Sequence, residues 1–491
     1  MSSTPEPTKQ RYVPTPPEEL LARVKNRSAK TRRHRLLGGG GSLVVVLALV
    51  LVGVLVPDGS ARPQQLSHRP GQIFVSDRIG SAYELMANET PAPRAPSSVR
   101  QAVENAEAAF SLDLLSNLAA SSDPSDSSNV LVSPSSLATA LAMLELGAAG
   151  STEQGIATTL HTAGLSAAEQ AAGWHSLAAL LAAETSTTGT SLKRRPELNI
   201  ANALFLQEHF AVLPAFVRAL TSEFQTGLWE VDFQNDLTGA TDAINQWTSE
   251  NTKGLIKQLF SPGALSQLTR LVIADAVYFR AMWAHKFESA TADRPFYLAT
   301  GATESVPFMS SGSAHSSRPL TVPVSTTGQY TAVELPYAGK KLSALVVMPT
   351  QSSLSSFVSS LSPASLDQIV YGMSPEVGPV SMPTFTLRSD NQLDQTLKSM
   401  GMSRAFGPTA DFTRIVKYPP LVVQAVEQHA YLQVTPKGTT AAAATGIGVI
   451  ATVARAGEPP IVVIDHPFLF LVRDDATGAI LFEAMVENPA S

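Results

Sequence analysis

Leu421-Val422-Val423-Gln424-Ala425-Val426-Glu427-Gln428-His429-Ala430-Tyr431-Leu432-Gln433-Val434-Thr435-Pro436-Lys437-Gly438-Thr439-Thr440-Ala441-Ala442-Ala443-Ala444-Thr445 is the stretch on which the fold turns. It opens with strand propensity at Leu421–Val423, passes through His429 and Tyr431, and reaches Gly438. Four successive alanines favour helix, yet here β-branched threonines bracket them. Gly446-Ile447-Gly448-Val449-Ile450-Ala451-Thr452-Val453 follows, with strand propensity and no helix cap at its far end. Taken alone, the segment reads as a plain Ala/Gly loop of about twenty residues, and a loop that long in a compact domain is either functional or disordered.

On either side of it the chain has the periodicity of a packed α+β domain. Phe468–Val472 returns through Asp474–Gly478 to Ile480–Phe482, and Thr331–Pro336 returns through Ala338-Gly339-Lys340 to Leu345–Met348, which predicts two hairpins. Leu198–Leu206 and Leu271–Phe279 are near-continuous apolar runs and predict strands buried on both faces. Further upstream the period changes. Val99, Val103, Ala106, Phe110, Leu114 and Leu118 share one helical face. A second helix is marked by Ser133 as N-cap, Pro134 in its first turn, Leu137, Leu141 and Leu144 along it, and Gly147 as its stop. Helices dominate the first half and strands the second, which is not a βαβ series.

The first hundred residues differ in kind. Leu36–Val56 runs for 21 residues without a charge, about 31 Å as a helix, and predicts a transmembrane span. Seven basic residues fall in the fifteen positions before it, against Arg62 and Arg69 just after. That asymmetry keeps residues 1–35 in the cytoplasm as a disordered basic tail and sends the rest of the chain outside. Cleavage near Ala61, after Gly59-Ser60, is the alternative and would secrete the domain. Residues 57–97, with six prolines, read as an extracytoplasmic spacer, and residues 98–491 as the folded domain.

Composition excludes much chemistry. The 491 residues contain no cysteine, so there are no disulfides, thiolate nucleophiles or cysteine-ligated metals. Residues 1–42 carry +6 of charge, which leaves −12 on the remainder and argues against a nucleic-acid partner. An exported, bacterial-looking protein with an N-terminal anchor is often an acylating or hydrolytic enzyme, but the motifs of one are missing. No serine stands three places before any of the twelve lysines, and there is no G-x-S-x-G, H-E-x-x-H or P-loop. His285, His429 and His466 are scattered and read as structural residues.

The region from Val99 to Pro489 resembles the serpins, a family of large serine-protease inhibitors. Seven blocks carry the resemblance in the family's order: Asn129–Ser136, Asn202–Phe205, Leu271–Phe279 followed by Trp283, Val333–Tyr337, Ala410–Ile415, Gly438–Thr445 and His466–Arg473. The resemblance implies one large domain with three β-sheets and about eight or nine helices, no enzyme activity, no cofactor and no metal. It implies a monomer whose partner is a target serine protease, trapped as a covalent acyl-enzyme when the cut reactive loop inserts into a sheet.

The same resemblance gives particular residues their roles. The reactive loop spans about 436–460, with Gly438, Thr439, Thr440, Ala441, Ala442, Ala443, Ala444 and Thr445 as its hinge. Ser133, Ser136, Asn202, Gln428 and His429 fall where the sheet opens, and Trp283 where the loop first enters. Small, uncharged side chains suit a segment that slides between strands, and Thr439, Ala441, Ala443 and Thr445 share one face. The scissile bond is Thr452-Val453 when counted forward from the hinge, and Arg455-Ala456 when counted back from His466-Pro467. The first suits an elastase- or subtilisin-like protease and the second a trypsin-like one. Three departures from the family stand out: Thr440 replaces a usual glutamate, Pro436-Lys437 an acidic pair, and Gln428 a histidine, whose role an amide able to donate and accept to Asn202 can take over. A non-inhibitory serpin serving as a surface binding or structural protein is the rival reading, and an exported hydrolase the more distant one.

Overall fold

The structure, a computed structural model, describes residues 70–121, 128–185, 196–287, 293–311, 321–377, 379–439 and 462–491. The chain divides into two units, Met1–Leu66 and Ser67–Ser491. The first lies outside the described residues, and with it the expected span Leu36–Val56. Among the described residues no helix is long and apolar enough to cross a membrane.

Chain order in the second unit begins with β1 (Ile73–Ile79), β2 (Ala82–Ala87), α1 (Ser97–Ser121), β3 (Val130–Val132), α2 (Pro134–Glu145), α3 (Gly150–Thr159) and α4 (Ala167–Thr185). It continues with β4 (Glu197–Gln207), α5 (Pro214–Ala219), β5 (Leu228–Val231), α6 (Leu237–Asn251), β6 (Leu271–Met282), β7 (Asp293–Tyr297), β8 (Thr303–Ser310) and β9 (Thr321–Thr326). Then come β10 (Tyr330–Pro336), β11 (Leu342–Pro349), α7 (Leu354–Ser360), α8 (Pro363–Tyr371), β12 (Ser374–Val377), β13 (Val380–Pro383), β14 (Phe385–Gln392) and α9 (Asp394–Leu397). The chain closes with β15 (Ala425–Thr435), β16 (Gly438–Thr439), β17 (Val462–Val463), β18 (Phe468–Asp474) and β19 (Ile480–Val486).

The described strands form three sheets: eight strands in the order β1-β2-β5-β4-β6-β16-β15-β14, seven in the order β12-β9-β10-β11-β18-β19-β3, and four in the order β17-β13-β8-β7. The two expected hairpins are β10–β11 and β18–β19. The two long apolar runs are β4 and β6, antiparallel neighbours paired over their length. β6 shows why its sequence has no polar side. Leu271, Ile273, Val277, Phe279 and Ala281 enter the main core, while Val272, Ala274 and Ala276 enter a second core under α6 with Ile244 and Trp247.

Two sequence expectations need correction. Residues 57–97 are not all spacer, because β1 and β2 form a hairpin that extends the eight-stranded sheet by pairing with β5. Its buried ends, Ile79 and Ala82, pack in the core under α6. Ser133 does occupy the N-cap position of α2, but it makes no side-chain cap; its hydroxyl donates instead to the Leu481 carbonyl at 2.6 Å. Gly147 does follow the end of α2, as the sequence suggests, and a Cβ there would lie 2.2 Å from the Ile415 side chain.

Candidate functional site

β6 and β15 run parallel and pair directly from Val272 with Ala425 to Tyr278 with Tyr431. Beyond that point they part, and β16 lies between them, Thr439 opposite both Ala281 and Val434 and Gly438 opposite both Met282 and Thr435. The first two hinge residues are thus already strand. Gly438 is required at this position, because a Cβ would sit 2.1 Å from the Ala281 carbonyl oxygen. Thr439 is fully buried, and its hydroxyl shares a 2.7 Å hydrogen bond with the Tyr337 phenol. Burial pushes that phenol's pKa up, so it stays neutral.

Trp283 holds the turn that delivers β16. Its ring stacks on Tyr337 at 4.6 Å between centroids, its indole N–H donates to the Thr435 carbonyl at 2.9 Å, and its backbone N–H donates to the Lys437 carbonyl. Phe287 donates in the same way to the Pro436 carbonyl. These bonds use main-chain carbonyls of residues 435–437, so Pro436-Lys437 can replace an acidic pair without losing them. The remaining hinge residues Thr440 to Thr445, and the candidate scissile residues Thr452, Val453, Arg455 and Ala456, lie outside the described residues.

Lower on the same seam, Asn202 of β4, Asp275 of β6 and Gln428 of β15 stand side by side in register, under the N-terminal turn of α2. Gln428 accepts from the Ser133 backbone N–H at 2.8 Å. Its amide nitrogen donates to the Ser133 carbonyl at 2.8 Å and to Asp275 Oδ2 at 2.6 Å. The Ser136 hydroxyl donates to Asp275 Oδ1 at 2.5 Å, and Asn202 donates to the Ser136 carbonyl at 3.0 Å. Buried Ser136, Asp275 and Gln428 and half-buried Asn202 each have a partner within the cluster.

Four of the expected sheet-opening residues therefore meet, and one does not. The sequence suggests that Gln428 reaches Asn202, but β6 runs between their strands and Asp275 takes the bond. His429 projects to the opposite face of β15, where its ring lies 3.1 Å from Asp390, and burial lowers its pKa. Asp275 and Tyr337 are the residues to which the sequence alone assigns no role. The one available signal is a single acid within the otherwise apolar run Leu271–Phe279. Burial raises the Asp275 pKa to about 7 against the lowering effect of Ser136 and Gln428, and no charged neighbour contributes.

A family model described as Serpin (serine protease inhibitor) matches residues 105–489. Glia-derived nexin of Mus musculus is 33% identical over 366 residues, 74% of this chain and 88% of that protein. An uncharacterized serpin-like protein of Thermococcus kodakarensis is 32% identical over 453 residues, 91% of this chain and 98% of its own length. Among solved structures, native protease nexin-1 with heparin superposes with a TM-score of 0.67 at 28% identity, covering 79% of this chain and all of that one. Thyroxine-binding globulin in complex with thyroxine also reaches 0.67, at 25% identity over 79% of this chain and 99% of its own. With the family model spanning residues 105–489 and the seam between β6 and β15 built as described, the chain belongs to the serpin family.

Proposed function

We propose that this protein is an irreversible, suicide-type inhibitor of an elastase- or subtilisin-like serine protease, acting as a monomer. The observation that carries the reading is β16: the loop begins its course as a strand already seated between β6 and β15. The protease serine oxygen attacks the carbonyl carbon of residue 452, and the bond to the nitrogen of residue 453 breaks. The new amine takes a proton from the protease's own acid, and an ester remains. Insertion of the freed loop outruns hydrolysis of that ester and distorts the enzyme. If the register of Gly438 with Met282 and Thr439 with Ala281 is continued, Ala441 would meet Phe279, Ala443 would meet Val277 and Thr445 would meet Asp275. All three share the face of Thr439, and none is charged.

Incubation with a panel of serine proteases tests this directly. An inhibitor gives a complex that survives denaturant, a protein that has lost insertion gives cleavage alone, and a hydrolase turns over a test ester. A non-inhibitory role as a binding protein is the second reading, supported by the similarity to a globulin solved with thyroxine. Mass spectrometry of the peptide released from the complex fixes the bond. Val453 as its first residue is expected, because the hinge-to-cut length sets how far the protease is carried, about fourteen residues, while the segment after the cut can vary at little cost. A peptide beginning at Ala456 overturns that bond and the elastase-like target together.

The location is part of the proposal. Leu36–Val56 anchors the protein with the serpin domain outside, on the strength of the basic residues that precede it. External protease applied to intact cells is expected to remove the domain and spare residues 1–35. Protection until lysis would reverse the orientation, and a mature N-terminus near Ala61 would replace the anchor by secretion.

A further inference from the structure

Asp275 sits where the two strands must part. Its side chain is fully buried, one oxygen held by Ser136 from α2 and the other by Gln428 from β15. Separating β6 from β15 removes Gln428. Among the described residues no cation compensates the carboxyl. α1 contributes Glu107, itself bonded to Ser135 and to the Ile480 N–H, and β19 contributes Glu483, bonded to Ser111. β4 contributes neutral Asn202, and β15 sends Glu427 and His429 away from the cluster, His429 to the other face of the sheet.

We propose that Asp275 is a proton-controlled bolt on the β6–β15 seam, shut while its carboxyl is protonated and eased when that proton leaves. The inference rests on the loop-insertion reading above. In the neutral state the carboxyl can donate to Ser136 Oγ, whose own hydrogen turns to Asn202 Oδ1, 3.2 Å away, and the seam holds no charge. In the ionised state a carboxylate without a counter-ion is enclosed by protein, and opening lets water reach it.

The closed seam holds the carboxyl at about 7, and hydration on opening returns it toward its ordinary acidic value. The open form therefore binds the proton less tightly, and a rise in pH favours opening. Each pKa unit by which the two forms differ changes the open-to-closed ratio about tenfold between those values.

The probe is a synthetic peptide with the sequence of residues 439–452, labelled and mixed with the full-length protein, its uptake followed by native electrophoresis between pH 5.5 and 8.5. Uptake by the wild type is expected to quicken at least about tenfold over that range, with a midpoint near 7. Asp275→Asn should take up peptide at a rate flat in pH. Ser136→Ala, which deprives the carboxylate of a donor, should move the midpoint to higher pH. A flat wild-type profile, a slope that persists in Asp275→Asn, or a midpoint unmoved in Ser136→Ala overturns the bolt. Failure of the peptide to enter at any pH instead removes the insertion reading on which the bolt depends.

Discussion

Thr439→Arg is expected to leave the loop cleavable and to abolish trapping. Thr439 is fully buried between β6 and β15, with the Tyr337 hydroxyl as its side-chain partner. Tyr337 itself is packed by Phe279 and Trp283. A guanidinium placed against these aromatic rings costs several kcal/mol to bury. Because Thr439 already lies in the seam before cleavage, the arginine would drive residue 439 out of it; every later hinge residue must follow 439 back in, so the penalty opposes the first step of insertion and hydrolysis of the ester wins. Titration against a susceptible protease should show the inhibitor consumed as substrate, with the stoichiometry of inhibition raised at least about tenfold, since about 1.4 kcal/mol already suffices for that factor. An unchanged stoichiometry would exclude insertion through this seam.

The second large effect concerns stability. Excising residues 71–88 from the full-length protein is expected to lower the melting temperature by about 5 °C or more and to promote association. The β1–β2 hairpin covers the edge of β5, whose four residues are all buried, and seats Ile79 and Ala82 beneath α6. Tyr83 pairs with Glu230 across that join and is hydrogen-bonded to its side chain, and burial, with this bond as the lesser cause, raises the phenol's pKa. Without the hairpin, β5 would present unpaired main-chain groups and the indole of Trp229, a template for a second chain. Calorimetry with analytical ultracentrifugation reads both effects, and an unchanged melting temperature would mean that the hairpin merely decorates the sheet.

Which of these features the sequence announced depends on how local their causes are. β6 and the second half of β4 are buried on both faces, so their runs are apolar almost throughout and legible. β1 is an edge strand, and Val75-Ser76-Asp77-Arg78 is exposed, leaving no periodic signal among the flanking prolines. Ser133 reads as a cap because caps are local, yet its partner is a carbonyl 348 positions away. Asp275 reads as an oddity in a strand because the row it completes draws on α2, β4 and β15. Gln428 and Asn202 could be picked out from the family resemblance, whereas the strand that separates them appears only once the register is known.

The hairpin also decides how the domain meets a mechanical load. Residues 1–69 join it at β1, the outermost strand of the eight-stranded sheet. β1 and β2 are antiparallel, with Ile73 beside Ala87, and the outermost bonds of the ladder link Gly71 to Asn88 and Asn88 to Gln72. A pull directed across the sheet, away from β2, would meet these bonds one at a time, as a zipper does, rather than all together in shear. β1 would peel away first, while β2 kept its grip on β5 through Tyr83–Leu85. Under such a pull the hairpin would act as a mechanical fuse: tension would be spent unzipping a short ladder before reaching the seam between β6 and β15.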